Sequence, residues 1–179
     1  MRLFLWTGPR HSGKTTGAAQ LARQARQDGF RLAGVLAPSI YREGHLVGFE
    51  ALDLQSEARS LLAVRRDDPG DIGSFHFLKE GLRLGRQALD VAAADGADLV
   101  IVDEFGPLEL ASRGWRQAVN ALVEAGRAPL LLIVRRELAG AVRETYAGVP
   151  TEVLDATVSA SVHEVIRSLG DGRTVRGPE

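Results

Sequence analysis

A chain of 179 residues can bury one substantial core, and a formal net charge of -1 without a long basic run excludes a surface built mainly for nucleic acid or anionic membrane. The absence of cysteine excludes disulfides and thiolate metal sites and fits a reducing compartment. The first apolar run is too short for a signal-peptide core and no run approaches a membrane span, so the expectation is a soluble cytoplasmic protein with no membrane partner.

The first predicted element is a strand, Leu3-Phe4-Leu5-Trp6, which empties into Gly8-Pro9-Arg10-His11-Ser12-Gly13-Lys14-Thr15-Thr16. That is GxxxxGKT between a strand and a helix, the spacing of a phosphate-binding loop. Gly8 and Gly13 let the backbone curl until successive N–H groups face one anion, and the following helix adds its positive end. Gly8 through Thr16 are therefore the expected phosphate contacts, with Lys14 on the β- and γ-phosphates and the Thr15 hydroxyl on Mg²⁺. The helix carries Ala18, Leu21, Ala22 and Ala25 on one stripe and stops before Gly29.

A second strand follows over residues 31–37, closed by Pro38, and the turn at Tyr41-Arg42-Glu43-Gly44 with an extended run over 46–54 predicts a β-hairpin. Leu61 to Val64 fits a helix or a strand equally well. Residues 65–70 read as a charged loop and 74–77 as a short strand. Helical spacing over 79–95 offers Leu82, Leu89, Val91 and Ala92 for burial, and Gly96 ends it. Leu99 to Val102 and Pro129 to Val134 are apolar throughout, as strands buried on both faces of a parallel sheet should be. Trp115, Val119, Leu122 and Val123 mark another helix. Further helices are expected over 138–146 and 161–169, the last with a serine cap, and a strand over 152–154. Strands alternating with helices around a phosphate loop predict an α/β three-layer sandwich with a mostly parallel central sheet and a hairpin insertion. Residues 1–170 are read as a single domain and 171–179 as a frayed tail.

A metal bound to those phosphates must also be held from the far side, by a carboxylate at the carboxyl end of a neighbouring buried strand. Leu99-Val100-Ile101-Val102-Asp103-Glu104 has that form. Asp103 is expected to hold Mg²⁺ through a water, because this ion gives up its hydration reluctantly. Glu104, pointing differently, is the expected group that orients or deprotonates an attacking water, and with Lys14 makes the catalytic pair. Glu109 returns after a Gly-Pro turn, and whether it touches metal, water or an arginine stays open.

Asp103-Glu104-Phe105-Gly106-Pro107-Leu108-Glu109-Leu110 resembles the Asp-Glu-Ile-Gly-Pro-Met-Glu-Leu signature of the THEP-type nucleoside-triphosphatases. The similarity runs back through Gly34-Val35, Arg42, Gly44, Gly48-Phe49 and Asp53-Leu54, and through the approach to the acidic strand over 75–98. It covers most of residues 1 to 136. The resemblance implies a P-loop NTPase fold and slow, Mg²⁺-dependent hydrolysis of ATP, GTP and other nucleoside triphosphates with little base selectivity. Arg10 and His11 stand where the family carries small residues, Phe105 and Leu108 where it carries Ile and Met, and its Asn-Arg pair is missing around Asp155 to His163.

A cation that meets transition-state charge is the remaining requirement. Arg42, Arg135 and Arg136 are the candidates, although solvated strand-end residues are the simpler account of the last two. Arg65 and Arg66 fit a charged loop better than a lid, and His45, His76 and His163 have no metal-ligand spacing. The functional expectation is hydrolysis of nucleoside triphosphates to diphosphate and phosphate. Its rivals are a small-molecule or nucleotide kinase and a nucleotide-switched adaptor for cofactor assembly, the latter acting with a protein partner.

Overall fold

Five strands pair in parallel to make the centre of the sheet, in the order β2 (Leu32–Leu36), β7 (Leu99–Val102), β8 (Leu130–Arg135), β1 (Leu3–Gly8) and β9 (Thr151–Asp155). They belong to a computed structural model that describes residues 1–175. Every residue of β1, β2 and β7 is buried, because helices cover both faces. The side-chain period of two divides the core into two halves. Phe4, Trp6, Leu99, Ile101, Leu131 and Ile133 meet Ala18, Leu21, Ala22 and Ala25 of α1 (Lys14–Gln27) and Val165 and Leu169 of α6 (Ser159–Val175). Leu5, Val100, Val102, Leu130, Leu132 and Val134 face the other way. They meet Ala88 of α2 (Lys79–Ala88), Val119 and Leu122 of α4 (Arg116–Ala125) and Val142 of α5 (Ala139–Thr145).

An antiparallel extension continues the sheet beyond β2. The hairpin of β3 (Ser39–Arg42) and β4 (His45–Asp53) turns at Glu43-Gly44, both with positive φ, and β4 pairs in turn with β5 (Arg59–Arg65) and β5 with β6 (Phe75–Phe77). The segment over 61–64 is thus a strand, and the hairpin is half of a four-stranded meander. Gly34 is demanded by the close approach of β2 to β7: its φ is +111°, and a Cβ there would lie 2.0 Å from the Ile101 carbonyl oxygen.

Several boundaries differ from those expected. α2 stops at Ala88, not Asp95, because Asp90 opens a separate turn by accepting the Ala92 N–H at 2.9 Å, which leaves Ala92 exposed. A four-residue helix, α3 (Pro107–Leu110), follows the acidic strand, and a 3-10 turn (Arg136–Leu138) precedes α5. No serine caps α6: Ser159 and Ser161 lie inside it, and the Ser161 hydroxyl donates to the Asp155 carbonyl at 2.8 Å. That helix runs to Val175, inside the tail expected from residue 171, and 176–179 lie outside the described residues.

Candidate active site

The phosphate loop spans the end of β1 and the start of α1. Gly13 occupies the left-handed region, with φ 78° and ψ 21°, at the N-cap of α1. Neither a capping side chain nor an acidic residue engages the first turn of α1, so its N–H groups remain available to an anion. At Gly8 a Cβ would stand 2.7 Å from the Ser12 hydroxyl, so any side chain there would push that hydroxyl from its place. That hydroxyl is buried and makes no hydrogen bond, an orphaned polar atom inside the loop and a natural partner for a phosphate oxygen. Beneath the loop lies Trp6, fully buried, whose indole N–H donates to the Lys14 carbonyl at 3.3 Å. Arg10, His11 and Thr16 are exposed, and His11 is left-handed with φ 58°.

Lys14 curls back so that its Nζ donates to the Pro9 carbonyl at 2.7 Å, bridging the mouth of the loop. Burial holds its ammonium below the ordinary lysine range, opposed by the carboxylates of Glu104 and Asp103 and reinforced by the guanidinium of Arg135.

Asp103 follows the last residue of β7, and the alternation that turns Leu99 and Ile101 toward α1 turns Asp103 the same way. It is completely buried, accepting the Ala37 N–H at 3.0 Å on one oxygen and the Glu104 N–H at 2.8 Å on the other, and the nearby Thr15 side chain favours its charged form. The Ala37 amide at the end of β2 had no sequence signal. Burial pushes the Asp103 carboxyl up, and the neighbouring Glu104 carboxylate adds to the rise. β7 is not the direct neighbour of β1 that the motif suggested. β8 stands between them, and its Ile133 carbonyl anchors the acidic turn by accepting the Phe105 N–H at 3.1 Å.

Glu104 is half-buried and left-handed, with φ 56°, a conformation that costs a side-chain-bearing residue about 1–2 kcal/mol. Such a cost persists where the surroundings fix it, and here it swings Glu104 away from the direction that Asp103 takes.

Glu109 has a different environment. Its carboxylate accepts the Gly106 N–H at 3.0 Å and the Trp115 N–H at 3.2 Å, and the residue is 4% exposed. Burial pushes its pKa up. Arg116 meets its backbone carbonyl, at 3.1 Å, and not its carboxylate. Glu109 thus joins the acidic turn to the start of α4.

The arginines separate clearly. Arg136 is paired with Asp155 at 2.7 Å. Arg135 lies opposite Gly8 in the parallel register of β8 and β1. Arg42 is exposed beside the hairpin turn, and Arg65 ends β5 opposite Phe75. Among the described residues no group of three or more His, Asp or Glu side chains is set to hold a metal.

A family model described as NTPase matches residues 3–164. The chain belongs to that family. The nucleoside-triphosphatase THEP1 of Methanocaldococcus jannaschii is 31% identical over 137 residues, covering 76% of this chain and 79% of its own. The protein of the same name from Archaeoglobus fulgidus is 34% identical over 128 residues, covering 72% and 73%. The family membership expected from the acidic octapeptide therefore holds. Two solved NTPase structures share the fold. The human cancer-related nucleoside triphosphatase has a TM-score of 0.72 at 19% identity, with 99% of each chain covered. THEP1 from Aquifex aeolicus has a TM-score of 0.73 at 17% identity, covering 94% of this chain and 99% of that one. At these identities the likeness shows the α/β P-loop fold alone.

Proposed function

We propose that this protein is a cytoplasmic, Mg²⁺-dependent nucleoside-triphosphate phosphohydrolase that converts ATP, GTP and other nucleoside triphosphates to diphosphate and phosphate. The observation that carries this reading is the meeting of the two motifs: the Thr15 side chain after the glycine-rich loop comes close enough to the fully buried Asp103 to favour its charged form, with Glu104 beside it in a strained conformation. The NTPase family and the name of its THEP1 relatives support hydrolysis, and that name specifies no base.

The donor set fits Mg²⁺. Thr15 and Asp103 offer only oxygen, and a pair this small suits an ion that keeps several waters and shares itself with phosphates. A bound Mg²⁺ would neutralise charge on the outer phosphates. The chain's own residues do the remainder. The amides at the start of α1, together with Ser12 and Lys14, hold the β- and γ-phosphates, Lys14 giving up its contact with Pro9. Glu104 orients a water in line with the β–γ bond and takes its proton. The water oxygen bonds to the γ-phosphorus as the bond to the bridging oxygen breaks, and that electron pair leaves on the diphosphate.

The test is phosphate release from ATP, GTP and CTP, each with and without Mg²⁺. Broad base tolerance predicts efficiencies within about one order of magnitude, equivalent to about 1.4 kcal/mol. A thousandfold preference would refute the tolerance. Turnover that appears only with an added acceptor or a partner protein would move the reading to a kinase or an adaptor.

A further inference from the structure

We infer that Arg135 is the cation that meets the developing negative charge of the phosphoryl group, supplied by this chain itself; the inference rests on the hydrolytic reading above. Three observations converge on it. First, strand alternation turns Leu131 and Ile133 of β8 toward α1, and two residues after Ile133 the same period brings Arg135 onto that face, which Asp103 and the phosphate loop share. Second, the β8–β1 register sets Arg135 opposite Gly8, the residue at which β1 becomes the phosphate loop, while β7 with Asp103 and Glu104 lies along the other edge of β8. Arg135 therefore stands on the strand between the two halves of the site. Third, its guanidinium has no hydrogen bond or ion pair among the described residues, unlike that of Arg136, which is neutralised by Asp155 at 2.7 Å.

The electrostatics give this placement a direction. Arg135 is near enough to Lys14 to work against the lysine's charge, while the Glu104 and Asp103 carboxylates act on the same ammonium in the opposite sense and more strongly, so cations and carboxylates gather around one space. The base of Arg135 is a central buried strand, so little reorganisation accompanies the reaction. Charge spreads over the equatorial phosphoryl oxygens and builds on the bridging oxygen as the bond to it breaks. A planar guanidinium can donate to two of these oxygens at once. Lys14, bound to the same phosphates in the ground state, serves binding. Arg135 gains most at the transition state.

The experiment compares wild type with Arg135→Ala and Arg135→Lys in three measurements: single-turnover phosphate release from ATP with Mg²⁺, affinity for a non-hydrolysable ATP analogue, and retention of ADP with aluminium fluoride, which mimics the transferred group. Arg135→Ala is expected to slow release by at least about a hundredfold, below the range of arginines supplied in trans to other NTPases. It should change analogue affinity less than about threefold and abolish aluminium-fluoride retention. Arg135→Lys should restore part of that retention, because charge returns without the two-pronged geometry. An Ala variant that releases phosphate within threefold of wild type overturns the inference. So does an equal loss of analogue and aluminium-fluoride binding, which would make Arg135 a ground-state ligand, and so does a fall in melting temperature large enough to account for the lost rate. Wild-type protein that neither hydrolyses ATP nor retains ADP with aluminium fluoride would instead refute the hydrolytic reading, and the inference with it.

Discussion

Glu109 sits in the acidic octapeptide, yet its geometry assigns it to architecture, and Glu109→Gln separates the two roles. The carboxylate accepts one N–H on each oxygen, from Gly106 and Trp115, in a nearly closed environment. Glutamine keeps the shape but offers one acceptor, so its amide nitrogen must face an N–H that then has no partner. An orphaned buried donor costs about 1–3 kcal/mol, offset in part because a charge no longer has to be buried. A net loss of about 1–2 kcal/mol lowers the melting temperature of a chain this size by roughly 2–8 °C. The pH dependence has a definite sign. Burial raises the folded-state pKa of Glu109 above 4.5, so the folded state holds its proton more tightly than the unfolded state. Wild-type stability at this group is therefore fully present below 4.5 and declines as pH rises through the raised folded value, whereas the Gln variant lacks this dependence. The wild-type advantage should widen on acidification from neutral toward pH 4.5. Thermal unfolding followed by circular dichroism across that window, with phosphate release measured in parallel, checks both statements. A Gln variant as stable as wild type at every pH but impaired in turnover would refute the architectural role and put Glu109 in the chemistry.

Lys14→Ala removes a charge-assisted phosphate contact worth about 1.5–3 kcal/mol, so triphosphate affinity should fall by roughly ten- to a hundredfold while the melting temperature of nucleotide-free protein stays within about 2 °C. Equilibrium binding and thermal unfolding decide, and unchanged affinity sinks the loop assignment. Glu104→Gln keeps size but loses basicity and should cut turnover by about a hundredfold to ten-thousandfold with binding retained, read by single-turnover phosphate release. Glu104→Gly should be equally inactive yet no less stable than wild type, because glycine relieves the left-handed strain at φ 56°; a loss above about 1 kcal/mol in denaturant unfolding would contradict that account. Gly34→Ala places a Cβ 2.0 Å from the Ile101 carbonyl and should prevent a native sheet from forming, at a cost above about 4 kcal/mol; a soluble variant melting within a few degrees of wild type would refute the close approach of β2 to β7.

The parts of the fold that could be read ahead of the structure were those with a strong period or a continuous apolar run. Leu99 to Val102 and Leu130 to Val134 had to be central parallel strands because no polar residue interrupts them. Leu61 to Val64 was ambiguous for a physical reason. Leu61 is exposed while Leu62 is buried, so both faces of β5 carry apolar side chains and the alternation is hidden. Asp90 interrupted α2 through its own side chain, a local competition that apolar spacing does not register, and α3 is too short to have a period. In the candidate site, the glycine-rich loop between β1 and α1 and the position of Asp103 just after β7 were legible from residue type and spacing. The left-handed turn at Glu104 and the inward carboxylate of Glu109 were not, because each depends on which amides the tertiary fold places nearby. Arg135 and Arg136 are chemically identical and adjacent, and only the end of β8 sets one opposite Gly8 and pairs the other with Asp155.

The strand order has a consequence for how the protein comes into being. β1 is made well before its partners and is wholly apolar from Leu3 to Trp6, and those partners are Leu130 onward in β8 and Thr151 onward in β9. At roughly 5–20 residues per second, the nascent strand waits on the order of ten seconds before either partner exists, and longer before both have left the ribosome. During that wait its backbone donors and acceptors are open to another chain. β2 and the β3–β6 meander can form among themselves, but they cannot cover β1, because β7 and β8 separate them in the sheet. The hydrophobic run that leads into the glycine-rich loop is therefore a segment that a holdase would meet while its partner strands are still unmade.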